Sequence, residues 1–262
     1  MNRYAARSTS LALLLVAGAC NPERVSEPEA IGDLVVSARE VHPRNVPGEP
    51  TVSLRLATER IYASISDYIE AETGVDGRTI TIWTHRIVEP PVQLDAIGPA
   101  TYSVRVPTTE GEYTLRVVHR RQADEYRLVV TTAALELRPI RTRFTRASPV
   151  LAWRYPRRSF MVACVIEAFL STGSLERCDE FRASLLAAVP LERIEFGEAG
   201  EIPYLTSQSS PGYELRAEYY RYAAEDAFAQ VGAVIRAFGE RYPGAPVWAQ
   251  NWRNEAHRSW LP

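Results

Sequence analysis

The sequence predicts an α+β protein, with an N-terminal antiparallel β-sandwich over residues 33–140 followed by a βαββαβ domain over residues 159–262. Three observations carry this. Hydrophobic residues alternate with period two as far as Ile140, which is the spacing of half-buried strands. After Arg158 the period lengthens to three and four, as on helices. Between them lies a proline-broken, arginine-rich stretch, 141–158, that reads as a connector.

The first residues place two arginines, Arg3 and Arg7, before an uncharged apolar run from Leu11 to Ala19, and Cys20 follows. A run this short falls well below the roughly 20 residues needed to span a bilayer as a helix, so residues 1–19 read as a cleavable export signal. Residues 20–32, with Pro22, Pro28 and several glutamates, have the composition of a solvated tether. The stretch Val16-Ala17-Gly18-Ala19-Cys20 resembles the lipobox of bacterial lipoproteins, although Ala17 stands where that family favours leucine. The resemblance implies acylation of Cys20, a membrane partner reached through that lipid, and a cell-envelope location on the extracytoplasmic side, with the outer membrane favoured by Asn21. An ordinary secretory signal with an incidental cysteine is the alternative.

In the sandwich region, Val52, Leu54 and Leu56 alternate with Ser53 and Arg55, Tyr102, Val104 and Val106 with Ser103 and Arg105, and Tyr113, Leu115 and Val117 with Thr114 and Arg116. Turn-forming segments such as Gly74-Val75-Asp76-Gly77 separate about seven such runs. Glu110-Gly111-Glu112-Tyr113-Thr114-Leu115 resembles the tyrosine corner of immunoglobulin-like domains, which implies an Ig-like sandwich. Any exposed hairpin carrying Gly-x-Tyr is the competing reading.

Beyond the connector, Ser174 is placed to cap a helix bearing Leu175, Cys178, Phe181, Leu185 and Ala188. A second stripe runs through Ala224, Ala227, Phe228, Val231, Ile235, Phe238 and Tyr242 and stops at Pro243-Gly244. Strand candidates at 160–166, 191–196, 213–222 and 245–252 flank the two helices, giving the split βαβ order that is called ferredoxin-like. Phe160 to Leu170 is apolar throughout, and its period does not separate a strand from a buried helix.

All 30 cationic residues are arginine, a bias of the whole chain rather than of a site. Loss of Arg3 and Arg7 with the signal takes the formal charge from −2 to −4, so no basic field for nucleic acid remains. Arg141, Arg143, Arg146, Arg154, Arg157 and Arg158 crowd the connector as a candidate patch for an anionic partner, with Trp153 and Tyr155 beside them. The bland reading is a solvated loop in a lysine-free protein. Cys164 and Cys178 are either a disulfide closing a short loop, contributing about 3 kcal/mol in the chain-entropy model, or two buried thiols.

Catalytic signatures are missing from the sequence. His42, His85, His119 and His257 stand singly, and no nucleophile elbow, phosphate loop, dinucleotide fingerprint or metal-ligand spacing occurs, so no cofactor is expected. Glu214 and Glu218 share a strand face about 13 Å apart, too far for a glycosidase pair without a further partner such as Glu195. Aromatic density is higher than chemistry here: Tyr219, Tyr220, Tyr222, Trp248 and Trp252 form a candidate interface, although the same residue types also build cores. The expected function is a non-catalytic docking or accessory subunit of an envelope complex with a protein partner. A lipoprotein binding a small ligand or glycan, and an enzyme with dispersed residues, are the alternatives.

Overall fold

The computed structural model describes residues 31–44, 46–167 and 174–260. Cys20, the signal segment and the tether as far as residue 30 lie outside the described residues.

Ten strands make the first unit: β1 (Leu34–Val41), β2 (Thr51–Tyr62), β3 (Tyr68–Asp76), β4 (Thr79–Val88), β5 (Gly98–Arg105), β6 (Gly111–His119), β7 (Gln122–Val130), β8 (Ala134–Arg141), β9 (Thr145–Ala147) and β10 (Leu151–Trp153). They form one mixed sheet in the order β10-β8-β7-β6-β4-β3-β5-β2-β1-β9, curled into a half-barrel. This overturns the predicted Ig-like sandwich. Where a sandwich needs two facing antiparallel sheets, β4 pairs in parallel with β6, Thr79 opposite Thr114 through Thr84 opposite His119, and keeps all strands in one sheet. Alternation reports only that each strand buries one face, and a curled sheet satisfies that by wrapping its concave face around a core. Leu34, Val36, Leu54, Leu56, Ile80, Ile82, Leu115 and Leu128 fill it.

The tyrosine corner forms nonetheless. The Thr109 backbone N–H donates to the Tyr113 hydroxyl at 2.9 Å, and the Arg78 guanidinium lies over the ring. That bond fixes a loop at the entry to one strand, and it is indifferent to how many sheets follow.

Residues 141–158 do not form a linker. β9 lies in parallel against β1 and β10 antiparallel against β8, with the Ser148 N–H bonded to the Val36 carbonyl and the Leu137 N–H to the Val150 carbonyl. The segment thus laces together the two edges of the curled sheet. Buried Asp124 fixes the turn that leads into it, accepting from the backbone N–H groups of Arg143, Phe144 and Thr145 and from the Thr145 hydroxyl.

Strand directions give this unit two distinct rims. One gathers the start of β1, the β2–β3 and β4–β5 loops, and the β6–β7 and β8–β9 turns; Leu34 faces Thr58 and Tyr62 faces Gly98 there. The other carries the end of β1, the start of β2 and the end of β10, and against it sits the second unit.

That unit comprises β11 (Ser159–Glu167), α1 (Ser174–Ala188), β12 (Leu191–Arg193), β13 (Gln208–Ser210), β14 (Tyr213–Tyr222), α2 (Ala227–Arg241), β15 (Val247–Asn251) and β16 (Ala256–Arg258). Its six strands are antiparallel, in the order β12-β14-β11-β15-β16 with β13 also on β14. The four-stranded, open-faced ferredoxin-like domain is therefore corrected to a larger sheet buried on both faces, and the protein as a whole is mostly β. The helices occupy the spans their periodicity marks and cover one face with Phe181, Leu185, Val231, Ile235 and Phe238. On the other face Met161, Ala163, Val165 and Leu215 lie beneath Tyr204, Phe196 and Tyr155. Double burial explains the unbroken apolar run of β11, whose alternate residues serve two different cores. A disulfide joins Cys164 of β11 to Cys178 of α1, which suits an oxidising compartment.

α2 approaches the C-terminal strand through glycines. A Cβ on Gly239 would stand 2.3 Å from the Ser259 carbonyl oxygen, a backbone atom with little room to yield. Overpacking of that kind costs about 2 kcal/mol, against a helix-propensity gain of about 1 kcal/mol for alanine. Gly239→Ala should therefore lower the melting temperature by about 2–4 °C; a rise in a thermal melt would show that β16 moves freely.

Candidate functional site

Where the second unit meets the far rim, β10 and the chain after Phe196 bond to each other. The Trp153 N–H donates to the Glu201 carbonyl at 2.8 Å and the Glu201 N–H to the Leu151 carbonyl at 3.0 Å. The Gly48 N–H meets the Arg253 carbonyl, and the His42 ring Nε2–H donates to the Trp252 carbonyl. These contacts leave a cleft of about 680 Å³ between the units.

Glu40 sets the inner end of the cleft. It follows Leu34, Val36 and Ala38 on the core-facing side of β1, so its carboxylate is carried into the fold, with only 3% of its side chain exposed. It accepts from Arg154 Nε and from the Tyr155 backbone N–H, both at 2.8 Å. Arg154 also donates through Nη1 to the Thr131 carbonyl, which fixes the guanidinium at the cleft wall. Burial, and then the charge of Glu40, pushes the Tyr155 phenol up to about 12, so it stays protonated throughout the working range. Tyr155 stands edge-on to Tyr204, whose phenol is driven higher still by burial and is paired with the Ser159 hydroxyl at 2.7 Å.

The Trp153 indole packs on Gly197 and Gly200, where a Cβ would come within 3.1 and 2.7 Å of the ring. Its Nε1–H donates to the Gly197 carbonyl. With Phe196, 6.2 Å away between centroids, it makes an aromatic wall. Glu49, Glu110 and Glu195 and the guanidinium groups of Arg157 and Arg221 complete the lining, with Trp252 at one side. The cleft therefore combines flat apolar surfaces with hydrogen-bonding charges of both signs. Among the described residues no group of three His, Cys, Asp or Glu side chains converges as metal ligands would.

No family model, no curated protein and no solved structure matches this chain.

The residues singled out in the sequence disperse. Tyr220 and Tyr222 are buried against the helices and present no surface to a partner. Tyr219, on the opposite face as alternation requires, packs on Phe196 and Tyr204. Trp248 meets Trp260, and Trp252 borders the cleft between the guanidinium groups of Arg157 and Arg253. Of the six patch arginines, five meet acids brought in from other parts of the chain: Arg141 with Glu125, Arg146 with Glu59, Arg154 with Glu40, Arg157 with Glu49 and Arg158 with Glu225. The run is contiguous only in sequence. Glu214 and Glu218 are engaged by Arg216 and Arg182 respectively, away from the cleft that Glu195 lines. Sequence reasoning missed Glu40 and Phe196. Glu40 had a signal, a carboxylate at the next inward position of an otherwise apolar stripe.

Proposed function

We propose that this protein is a lipid-anchored envelope protein that binds a polar ligand with ring faces, of the glycan class, in the cleft between its two units. The observation that carries the reading is the lining itself. Aromatic faces at Trp153 and Phe196 suit the apolar faces of sugar rings, and the carboxylates and guanidinium groups around them suit hydroxyl groups. Docking to a protein through the second sheet is supported less well, because the 194–207 segment and Tyr155 already cover that sheet's outer face.

A thermal-shift screen against cell-wall oligosaccharides and muropeptides, followed by calorimetry, tests the proposal, since a ligand that binds only the folded state raises the melting temperature by mass action. The expected result is a saturable shift that Trp153→Ala weakens at least tenfold, equal to about 1.4 kcal/mol. A screen in which no oligosaccharide shifts the melt would overturn it. Four glutamates around one cleft also favour hydrolysis of the same ligand class, and the reading then changes to an enzyme if chain-length analysis shows shortened products after incubation.

A further inference from the structure

We infer that the rim opposite the cleft is a membrane-contacting surface whose β2–β3 and β4–β5 loops seat in the interfacial region of a lipid bilayer. Five aliphatic side chains project from this rim. Val92, Leu94 and Ile97 are 74, 57 and 77% exposed, and Ile61 and Ile65 are each more than half exposed. An exposed apolar group of this size at one end of a soluble-looking domain marks a contact surface.

These side chains do not dangle. The Ser64 hydroxyl donates to the Leu94 carbonyl at 3.2 Å and the Leu94 N–H returns to the Ser64 oxygen at 3.1 Å. The Ser66 hydroxyl reaches the Val92 carbonyl, and the Ile65 N–H the Ala96 carbonyl. The two loops thus satisfy one another's backbone and hold their apolar side chains outward. Aliphatic side chains on loops whose polar backbone is internally paired can enter an interface without burying unpaired amides.

The occupant follows from where the chain enters. The Glu59 N–H bonds to the Asp33 carbonyl at 2.9 Å, which places the beginning of β1 on this same rim, two residues from Ile61. Ten residues separate Ile31 from Cys20, and the random-coil span for that length is on the order of 20 Å. A lipid on Cys20 therefore presents this rim, and not the cleft, to the bilayer. The intervening residues, Asn21 to Ala30, hold Val25 as their one large aliphatic side chain and are too polar to cover five. The β6–β7 turn brings Arg120 and Arg121 to this rim and the β8–β9 turn brings Arg143, positions suited to anionic headgroups.

The proposal shares the membrane setting of the glycan-binding reading but none of its residues, so the two fail separately. Among the described residues every core residue lies at or beyond Ile31, so the chain from Asn21 onward keeps all three cores. The test uses that chain carrying Leu94→Cys, labelled with an environment-sensitive fluorophore, and vesicles of equal parts phosphatidylethanolamine and phosphatidylglycerol. With Cys164 and Cys178 bonded, the introduced thiol is the one that reacts. The expected result is a blue shift and at least a twofold rise in emission on adding vesicles. The same label at Asp76→Cys, on the opposite rim, should stay unchanged. In co-sedimentation, Val92→Asp with Ile97→Asp should reduce vesicle binding at least tenfold while the melting temperature holds. No response at position 94, equal responses at both positions, or a response produced by self-association without vesicles would each overturn the inference.

Discussion

Replacing Asp124 with alanine is expected to cost about 4 kcal/mol of stability. The carboxylate is fully buried and gathers the N–H groups of Arg143, Phe144 and Thr145 at 2.8–3.0 Å and the Thr145 hydroxyl at 2.7 Å. Alanine leaves several donors facing an apolar hole, and each unsatisfied buried group costs about 1–3 kcal/mol. The loss propagates because those donors belong to the turn that feeds β9 onto β1. The Thr145 hydroxyl also meets the Tyr126 phenol at 2.8 Å, so a second buried polar group loses its orientation. Asp124→Asn keeps one acceptor oxygen and should cost about half as much. Urea unfolding followed by tryptophan fluorescence measures both; a change below about 1 kcal/mol for alanine would mean that water replaces the carboxylate without penalty.

Glu40→Ala should be nearly as damaging and should also reach the ligand. Breaking a buried ion pair from one side costs about 3–5 kcal/mol, because the remaining charge is stranded. Here the stranded groups are Arg154, a quarter exposed, and the Tyr155 N–H. Its partial exposure puts the cost near the lower bound, about 3 kcal/mol. The same substitution leaves the Arg154 guanidinium bonded to the Thr131 carbonyl but without its carboxylate and loosens the seat of Tyr155, so affinity for an oligosaccharide should fall more than tenfold. Glu40→Gln, which keeps an acceptor for the Tyr155 N–H, should recover most of the stability and little of the affinity. Calorimetry on the two variants separates these effects, and equal affinities across wild type, Gln and Ala would remove Glu40 from the site.

Local structure was legible because it depends on local chemistry. The alternation of β2, β5 and β6, the helical stripes of α1 and α2, and the Tyr113 corner all follow from residues within one element. What alternation lacks is the identity of the neighbour. Val52, Leu54 and Leu56 bury one face equally well in a sandwich or in a curled sheet, and the parallel pairing of β4 with β6 leaves no mark in either strand. The arginines misled for a related reason. Six of them from Arg141 to Arg158 read as one cationic run, but the acids that meet five of them sit on β1, β2 and β7 and at Glu49 and Glu225, elsewhere in the sequence. The cleft was illegible as a whole, since its walls come from eight separated stretches and no single stretch looks unusual. Its one local trace is Glu40, a charge where β1 should have placed an aliphatic residue.

The lacing of β9 and β10 bears on how the chain acquires its structure. β1 emerges early, and its outer edge finds its partner, Thr145–Ala147, more than a hundred residues later. Until then two strand edges of a ten-stranded sheet, those of β1 and β8, stand open together, the condition under which chains pair with each other instead of with themselves. Contacts of such high sequence separation also form slowly, since the loop must close before any of its bonds repay it. A protein of this topology that crosses a membrane unfolded arrives needing protection for as long as that closure takes, and the segment that ends the need is the same one that carries the chain into its second unit.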